Sequence, residues 1–257
     1  IDITRDRVVD HPVIIQPGTE ISMWPGRSLT FRARVQANGT KQSPIKVFPA
    51  DVAAEAWGAF SLVGPKTAGS VLQHLRAEGG SEAVTAGIYF SGMINLHDSR
   101  DIVVDGLVAS RNKVSDDLVH IIYVQNFLFS NFRLSDARSD AIDIDISSGV
   151  FRDGAIDNSG NDALDFMASD AFVTDVDLMR SGDKGISVGE RTDILIKDSR
   201  FSENKIGVET RDGSRAYILS SKFRDNNLHL NAYLKNWRYG APGHALTLGS
   251  QFAGAGD

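Results

Sequence analysis

The sequence predicts an all-β protein built as a right-handed parallel β-helix, a solenoid of short strands with about 22 residues per coil. Three observations predict this fold class: a repeat of fixed period, alternation of apolar and polar residues within the repeat, and turn residues between repeats. The chain has 257 residues, 42% of them hydrophobic, which is enough to bury a continuous core. We expect a single domain over residues 1–257, of about eleven coils, with irregular excursions around residues 51–92.

The repeat is defined by apolar pairs that would point into the core from one short strand of each coil. Successive pairs are 23, 22, 22, 20 and 22 residues apart and read Val119/Ile121, Ile142/Ile144, Leu164/Phe166, Ile186/Val188, Ile206/Val208 and Leu228/Leu230. Because side chains alternate along a strand, the residue between the two members of a pair should point outward. The pattern therefore predicts a polar face over an apolar core, with the outward residues His120, Asp143, Asp165, Ser187, Gly207 and His229.

A second strand element follows in each coil, as in DIVVDGLV, NFLFSNFRL, AFVTDVDLM, TDILIKDSRF and RAYILSSKF. Segments such as DNSGND and RDNN separate the elements, which suits Gly, Asn, Asp and Ser in tight bends. Two segments fit the repeat least, DVAAEAWGAF and SVLQHLRAEGG, and we expect them to leave the coil as short helices or loops.

Composition excludes several classes of protein. The formal net charge is −6 and no run of Lys or Arg carries interleaved aromatic residues, so nucleic acid is not an expected partner. The chain has no cysteine, which excludes disulfides and thiolate chemistry. No apolar stretch approaches the roughly 20 residues that a transmembrane helix needs. A β-solenoid is typical of secreted, periplasmic or cell-surface proteins, and the lack of obvious end caps favours a homo-oligomer or a larger parent chain.

Aspartates recur at one position of successive repeats. Asp117, Asp140 and Asp162 hold it in SDDLVHI, SDAIDID and NDALDFM, and Lys184 holds it in GDKGISV. In a solenoid these side chains would stack about 4.8 Å apart, the spacing of neighbouring strands. Like charges that close must take up a proton, bind a cation or have a positive neighbour. The three aspartates are therefore candidate metal ligands, and Ca²⁺ is the candidate cofactor because it accepts several carboxylate oxygens.

Four segments resemble, in order and spacing, the signature segments of polygalacturonase-type β-helix glycoside hydrolases, written NTD, DD, GHG and R-x-K. The segments are SDAIDIDIS, NDALDFMAS, SGDKGISVGE and IGVETRDGS. Asp140 matches the aspartate of NTD and Asp162 the second aspartate of DD, whereas Asn161 replaces the first aspartate of DD and Lys184 replaces the histidine of GHG. The resemblance implies a pectin lyase-like β-helix that acts on a polysaccharide.

Two chemistries remain open for such a substrate. Hydrolysis needs one protonated carboxyl group as acid and a second carboxylate as base. β-Elimination from a uronate needs a cation or a positive side chain to neutralise the sugar carboxylate, and a base such as Lys or Arg. The candidate catalytic residues for either are Asp140, Asp143, Asp162, Asp165 and Lys184. Glu209 and Arg211 fall roughly where the resemblance implies a substrate-binding Arg and Lys. The full set of candidate substrate-binding residues is His120, Glu190, Glu209, Arg211 and Arg215.

The same features also have a structural interpretation. Asp140 and Asp162 could accept hydrogen bonds from backbone amides at turns, and Lys184 could be only the counter-ion of the acidic stack. His120 and His229 would then be solvated or hydrogen-bonded surface residues. We favour an enzyme that cleaves an acidic or uronate-containing glycan through an acidic groove. The alternative is a noncatalytic cell-surface or adhesion module that binds glycan or protein on its side wall.

Overall fold

The computed structural model describes residues 1–51, 55–114 and 116–255, and the all-β parallel β-helix is confirmed. In this part of the chain ten strands form one parallel sheet and nineteen form another. Regular helix in the same residues is confined to two 3-10 turns, Pro65–Thr67 and Trp237–Tyr239. None of the described helices is long and apolar enough to cross a membrane.

The strands are short and follow one another closely along the chain. Up to residue 63 they are β1 (Asp2–Ile3), β2 (Arg7–Val9), β3 (Val13–Ile15), β4 (Glu20–Met23), β5 (Leu29–Phe31), β6 (Val35–Asn38), β7 (Ile45–Pro49) and β8 (Phe60–Val63). Up to residue 137 they are β9 (Val71–Gln73), β10 (Leu75–Glu78), β11 (Ala83–Thr85), β12 (Ile88–Phe90), β13 (Gly92–Arg100), β14 (Val103–Asp105), β15 (Val108–Ser110), β16 (Asp117–Gln125), β17 (Phe127–Ser130) and β18 (Arg133–Ala137). The remaining strands are β19 (Ile142–Asp145), β20 (Ser148–Ser159), β21 (Leu164–Met167), β22 (Asp170–Met179), β23 (Lys184–Gly189), β24 (Asp193–Lys197), β25 (Arg200–Ser202), β26 (Ile206–Arg211), β27 (Arg215–Leu219), β28 (Lys222–Arg224), β29 (Leu228–Tyr233), β30 (His244–Leu248) and β31 (Gln251–Ala253).

The ten-stranded sheet takes one strand from each coil, namely β2, β5, β8, β13, β16, β19, β21, β23, β26 and β29. Its register confirms most of the repeat read from the sequence. Val119 lies beside Ile142, Ile142 beside Leu164, and Leu164 beside Ile186. Continuing this register back along the strands places Asp117, Asp140, Asp162 and Lys184 in one row, as predicted.

One step of the predicted alignment is wrong. Ile206 lies beside Lys184 and Val208 beside Ile186, so this step is 22 residues rather than 20. Ile206 is an apolar residue in a row that charged residues fill in the four preceding coils. Its apolar side chain therefore resembles the first member of an inward-facing pair.

The correction changes which side chains face outward in the last two coils. The residue beside Ser187 is Glu209 and not Gly207. The next residue in the column is Asn231 and not His229, because Glu209 lies beside Asn231. His229 is 7% exposed and its Nδ1 contacts the Asn226 side chain, so it is not a solvated residue.

The nineteen-stranded sheet receives two short strands from most coils and forms two parallel ladders. One ladder runs through β14, β17, β20, β22, β24, β27 and β30, and the other through β15, β18, β20, β22, β25, β28 and β31. Where the chain bends between the ladders, residues of successive coils adopt positive φ, a conformation that Gly, Asn and Asp tolerate best. These residues are Gly106, Asn131, Asp153, Asp175, Asp198, Ser220 and Gly249.

The excursion expected at SVLQHLRAEGG is wrong. This segment forms β9 and β10, whose Leu72, Leu75 and Ala77 are buried in the common core. The segment does not fit the 22-residue repeat, but its apolar residues alternate with polar ones. This alternation is the pattern of two short strands. DVAAEAWGAF lies partly outside the described residues, since 52–54 belong to it, and its Phe60 begins β8. The element that leaves the coil is the antiparallel hairpin of β11 and β12.

The larger of two apolar clusters among the described residues runs along the solenoid from Ile3 to Phe223. Phe151 lies at the centre of an aromatic group, with ring centroids 5.1 Å from Phe127 and 5.5 Å from Phe129. Phe166, one coil further on, lies 6.0 Å away in an edge-on arrangement. Such aromatic pairs add roughly 0.5–1.5 kcal/mol each beyond the area they bury. The packed core fixes the strands from which the polar side chains project.

Candidate active site

The outward face of β13, β16, β19, β21, β23, β26 and β29 carries polar side chains in register and is here called the site wall. Its central column consists of Asn95, His120, Asp143, Asp165, Ser187, Glu209 and Asn231. A second column, two residues further along each strand, includes His97, Asp145, Gly189 and Arg211. The wall thus gathers most of the predicted catalytic and substrate-binding residues, in two clusters on neighbouring coils.

The first cluster, here called the histidine centre, surrounds His120 and also contains Ser91, His97, Asp143 and Asp145. Nδ1 of His120 lies 2.9 Å from Ser91 Oγ and 3.1 Å from His97 Nε2. Nε2 lies 3.5 Å from Asp145 Oδ2 and 3.9 Å from Asp143 Oδ2. His120 is hydrogen-bonded, one of the two states expected of it, but it is buried rather than at the surface, and its ring packs edge-on against His97 with centroids 4.8 Å apart.

Two carboxyl groups and two imidazoles are crowded together at the histidine centre. Burial, together with repulsion from nearby carboxylates, Asp117 and Asp145 foremost, raises the pKa of Asp143 to about 9. Burial and the neighbouring His120 lower the pKa of His97 to about 3, so this imidazole is neutral. At neutral pH the centre therefore holds a neutral His97 imidazole and a protonated Asp143 carboxyl group.

The second cluster, here called the arginine centre, consists of Arg211, Asp165, Ser187, Glu190 and Glu209. Arg211 donates a hydrogen bond from Nη1 to Ser187 Oγ. Its Nη2 lies 3.6 Å from Glu190 Oε2 and 3.8 Å from Asp165 Oδ1, and its Nη1 lies 3.9 Å from Glu209 Oε1. Burial opposes the charge of Arg211, but these carboxylates raise its pKa above the ordinary value. Burial raises the pKa of Glu190 despite the nearby guanidinium.

Gly189 makes the arginine centre possible. The Arg211 side chain runs back over Gly189 toward Ser187, and a Cβ placed on this glycine would lie 2.9 Å from Arg211 Cζ. Contacts that short do not occur between packed atoms, so any other residue would displace the guanidinium. The next residue, Glu190, has a φ of 55°, which turns the chain as the strand ends.

Four buried polar atoms on the site wall make no hydrogen bond. They are Nε2 of His120, Oδ1 of Asp165, Oε2 of Glu190 and Nε of Arg211. Most buried polar groups in folded proteins have a hydrogen-bond partner, so unsatisfied groups gathered in one place are typical of a site that receives a ligand, water or ion.

Asp140 and Asp162 accept hydrogen bonds from backbone amides, as the structural interpretation of the sequence predicts. Asp140 Oδ1 accepts hydrogen bonds from the Asp162 amide at 2.7 Å and from Asn161 Nδ2 at 2.8 Å. Asp162 Oδ1 accepts one from the Lys184 amide at 2.8 Å. Burial raises the pKa of Asp140 to about 6 and that of Asp162 to about 7. Both carboxyl groups therefore tie one coil to the next and do not join the two centres.

Lys184 belongs to a separate ion-pair group at the start of β23. Its Nζ donates a hydrogen bond to Asp183 and lies 3.5 Å from Asp162 Oδ1. Burial opposes its charge, but Asp162 and Asp183 raise its pKa above the ordinary value. A lysine held in this way is a poor base at neutral pH.

The predicted metal ligands do not form one group. Asp117 and Asp140 bring carboxylate oxygens within 4.8 Å of each other, but the third member is the exposed Asp116 and not Asp162. Asp117 also accepts a 2.6 Å hydrogen bond from Ser91 Oγ, and burial raises its pKa to about 7.

Arg215 lies apart from the site wall. It belongs to β27 of the nineteen-stranded sheet, is exposed, and donates a 2.7 Å hydrogen bond to Asp193. The sequence interpretation missed Ser91, His97 and Asp145. A signal for Asp145 was present, because a residue two positions after Asp143 shares its face of a strand.

The stacked coils and the polar wall together define a parallel β-helix protein with a laterally placed candidate site. The chain belongs to the family described as the right handed beta helix region, whose model matches residues 85–248.

Solved structures of similar fold include pectate lyase Pel9A, which is 9% identical and has a TM-score of 0.56, with 94% of this chain and 77% of that chain covered. The periplasmic alginate epimerase AlgG is 11% identical with a TM-score of 0.51, over 92% of this chain and 61% of that one. The enzymatically active domain of bacteriophage CBA120 tailspike protein 2 is 10% identical with a TM-score of 0.51, over 91% and 42%. At such identities the likeness shows the fold alone. A comparison with curated proteins found no match.

Proposed function

We propose that the protein is a polysaccharide-processing enzyme that hydrolyses glycosidic bonds of an acidic, uronate-containing glycan bound along the site wall. The observation that carries this proposal is the arginine centre, where buried atoms of Asp165, Glu190 and Arg211 lack hydrogen-bond partners. A sugar ring offers hydroxyl groups that would satisfy such atoms, and a uronate offers a carboxylate that would pair with the guanidinium.

Hydrolysis is supported over β-elimination by the state of the two basic side chains. Elimination needs a base that is free to accept a proton from the sugar ring. Neighbouring carboxylates raise the pKa values of Lys184 and Arg211, which keeps both side chains protonated at neutral pH. Carboxyl groups, the residues that hydrolysis uses, are plentiful on the wall.

Asp165 and Glu190 are the proposed catalytic pair. Both approach the same Arg211 nitrogen, at 3.8 and 3.6 Å, so their carboxyl groups lie close enough to act on one glycosidic bond. Burial raises the pKa of Glu190, which suits a general acid, and Asp165 supplies the second carboxyl group that hydrolysis needs.

The substrate class has further support. Pectate lyase Pel9A and the alginate epimerase AlgG, which share the fold, are named for polymers of uronic acids. AlgG is described as periplasmic, and we propose a secreted, periplasmic or cell-surface location for this protein as well.

A noncatalytic glycan-binding module is the second candidate. It is favoured by the structural hydrogen bonds of Asp140 and Asp162. A cavity of about 570 Å³ also opens on the nineteen-stranded sheet, where Glu20, Lys46 and Arg76 line it, rather than on the site wall. A module of this kind would bind glycan and release no product.

The proposal is tested by incubating the purified protein with a panel of neutral and uronate polysaccharides and measuring new reducing ends and ultraviolet absorbance together. We expect reducing ends from a uronate polymer without the absorbance of unsaturated products. Asp165→Asn and Glu190→Gln should each lower kcat/KM about 100-fold or more, with unchanged thermal unfolding. Asp170→Asn, an exposed position on the other sheet, is the matched control.

Unsaturated products would contradict hydrolysis and favour elimination. Absence of any product across the panel, or full activity of both variants, would contradict the catalytic proposal and favour the binding module.

A further inference from the structure

We propose that the histidine centre binds a divalent transition-metal ion of the Zn²⁺ or Mn²⁺ class, with His120 Nε2 and the carboxylates of Asp143 and Asp145 as its ligands. These three side chains come from two neighbouring coils and face the same outward position on the site wall. One nitrogen and two carboxylate oxygens are a common protein ligand set for such ions.

The distances between the ligand atoms match a shared ion. All three atoms lie within 4.8 Å of one another, with Nε2 of His120 at 3.5 Å from Asp145 Oδ2 and 3.9 Å from Asp143 Oδ2. Two ligands that are each about 2.1 Å from a tetrahedral ion lie about 3.4 Å apart. The two distances from His120 Nε2, 3.5 and 3.9 Å, are close to this value.

The lack of a hydrogen bond at His120 Nε2 is a second, independent observation that supports a bound ion. His120 is 9% exposed, and its Nε2 is buried without a hydrogen bond although it points at two carboxylates. A proton on this nitrogen would normally give a hydrogen bond at about 2.8 Å, shorter than either contact. A lone pair that faces carboxylate oxygens at these longer distances fits a cation between them.

The contacts of the other ring nitrogen set the tautomer that a metal ligand needs. Ser91 Oγ donates its one hydrogen to Asp117 Oδ2 at 2.6 Å, so toward His120 Nδ1, 2.9 Å away, it acts as an acceptor. The contact with Ser91 favours the tautomer that has its proton on Nδ1, and in this tautomer the Nε2 lone pair is left for the ion. A ligand histidine held by a hydroxyl and a carboxylate behind it is the usual outer-shell arrangement of protein metal sites.

The ligand set also discriminates between ions. Ca²⁺ takes six to eight oxygen ligands, whereas the imidazole nitrogen suits Zn²⁺, Mn²⁺ and related ions. Three protein ligands leave positions open for water or substrate. Asp143 lies beside Asp165 in the sheet, so the ion would sit about one strand spacing from the arginine centre.

The ion would add a positive charge to the acidic wall, beside that of Arg211. It would bind a sugar carboxylate next to the scissile bond. This role rests on the proposed function. The binding of the ion rests on the geometry alone, so a direct binding measurement separates the two.

The test is isothermal titration calorimetry of the full chain, first treated with a chelator and dialysed, against Mn²⁺, Zn²⁺ and Ca²⁺ separately. We expect one Mn²⁺ or Zn²⁺ per chain, bound at least tenfold more tightly than Ca²⁺. His120→Ala and Asp145→Asn should each weaken this binding at least tenfold. Ser91→Ala, which removes only the outer-shell hydroxyl, should weaken it about 10- to 100-fold.

His11→Ala, at an exposed histidine near the start of the chain, should bind the ion as the wild type does. Circular dichroism checks that each variant is folded. If His120→Ala or Asp145→Asn does not fold, the affinity of Ser91→Ala still tests the proposal. Absence of binding by the wild type, a preference for Ca²⁺, or unchanged affinity in His120→Ala, Asp145→Asn and Ser91→Ala would each overturn the proposal.

Discussion

Asp140 and Asp143 are three residues apart in the sequence, yet their carboxyl groups have different roles. Asp140 points along the solenoid and accepts the amide of Asp162 in the next coil. Asp143 points out of the wall toward His120, where burial, together with repulsion from other carboxylates, raises its pKa to about 9. The same division separates Asp162 from Asp165. One aspartate of each pair holds the coils together and the other faces the proposed substrate.

The structural role of Asp162 predicts a pH dependence of stability. Burial raises its pKa from 3.8 to about 7, so the folded protein binds this proton more tightly than the unfolded chain does. The stabilisation is fully present below about pH 4 and is lost as the pH rises through about 7, by no more than about 4 kcal/mol. In Asp162→Asn, which keeps an oxygen acceptor for the Lys184 amide, this part of the decline should disappear.

Urea unfolding of both proteins between pH 4 and 8 measures the effect. The free energy of unfolding of Asp162→Asn relative to the wild type should rise with pH, whereas Asp170→Asn at an exposed position should show no such trend. Parallel curves for Asp162→Asn and the wild type would mean that Asp162 does not titrate in this range.

Residue identity predicted part of the candidate site. Asp143, Asp165 and Arg211 were found because alternation along a strand and the resemblance pointed to them. Ser91 and His97 could not be found in this way, since they come from the region around the β11–β12 hairpin, where the repeat spacing breaks down. Their contacts with His120 depend on how the chain after the hairpin enters β13 and pairs with β16.

At the scale of the strand, a glycine decides where a charged side chain can lie. Gly189 and Arg211 occupy one column of the site wall, and only hydrogen at the Gly189 position leaves room for the guanidinium. The side chain can then reach Ser187 and the carboxylates of the arginine centre.

Gly189→Ala should therefore impair the proposed hydrolysis without unfolding the protein. The new methyl group meets the far end of a flexible side chain, so the free energy of unfolding should fall by no more than about 2 kcal/mol. We expect kcat/KM to fall at least tenfold, as in Arg211→Ala. The double variant should be no worse than Arg211→Ala alone, because both changes remove the same interaction. Additive losses in this double-mutant cycle would show that Gly189 acts by another route.

The strand register is predicted correctly where inward-facing apolar pairs recur. It is predicted wrongly where an apolar residue stands outside such a pair. The coils of Val119, Ile142, Leu164 and Ile186 have the predicted register. The next step was misaligned by two residues because Ile206 fills a row held by Lys184 in the coil before. Inter-strand hydrogen bonds fix this register in the structure, and a single sequence does not contain them.

For the whole molecule, the solenoid converts a local repeat into a continuous surface. Each coil contributes one or two polar side chains to the site wall, and stacking places them at the strand spacing of about 4.8 Å. This spacing is close to that of successive sugar rings in an extended glycan, so one wall can contact several rings. The proposed ion at the histidine centre and the guanidinium of Arg211 would lie on adjacent coils along this path.

The central claim is that the glycan binds along the site wall with a sugar carboxylate at Arg211. The most direct measurement is a crystal structure of the Asp165→Asn variant with an oligosaccharide of the polymer that the wild type cleaves. We expect the sugar chain to cross β19, β21 and β23, with one carboxylate within hydrogen-bond distance of Arg211. Sugar bound instead on the nineteen-stranded sheet, in the cavity lined by Glu20, Lys46 and Arg76, would contradict the claim.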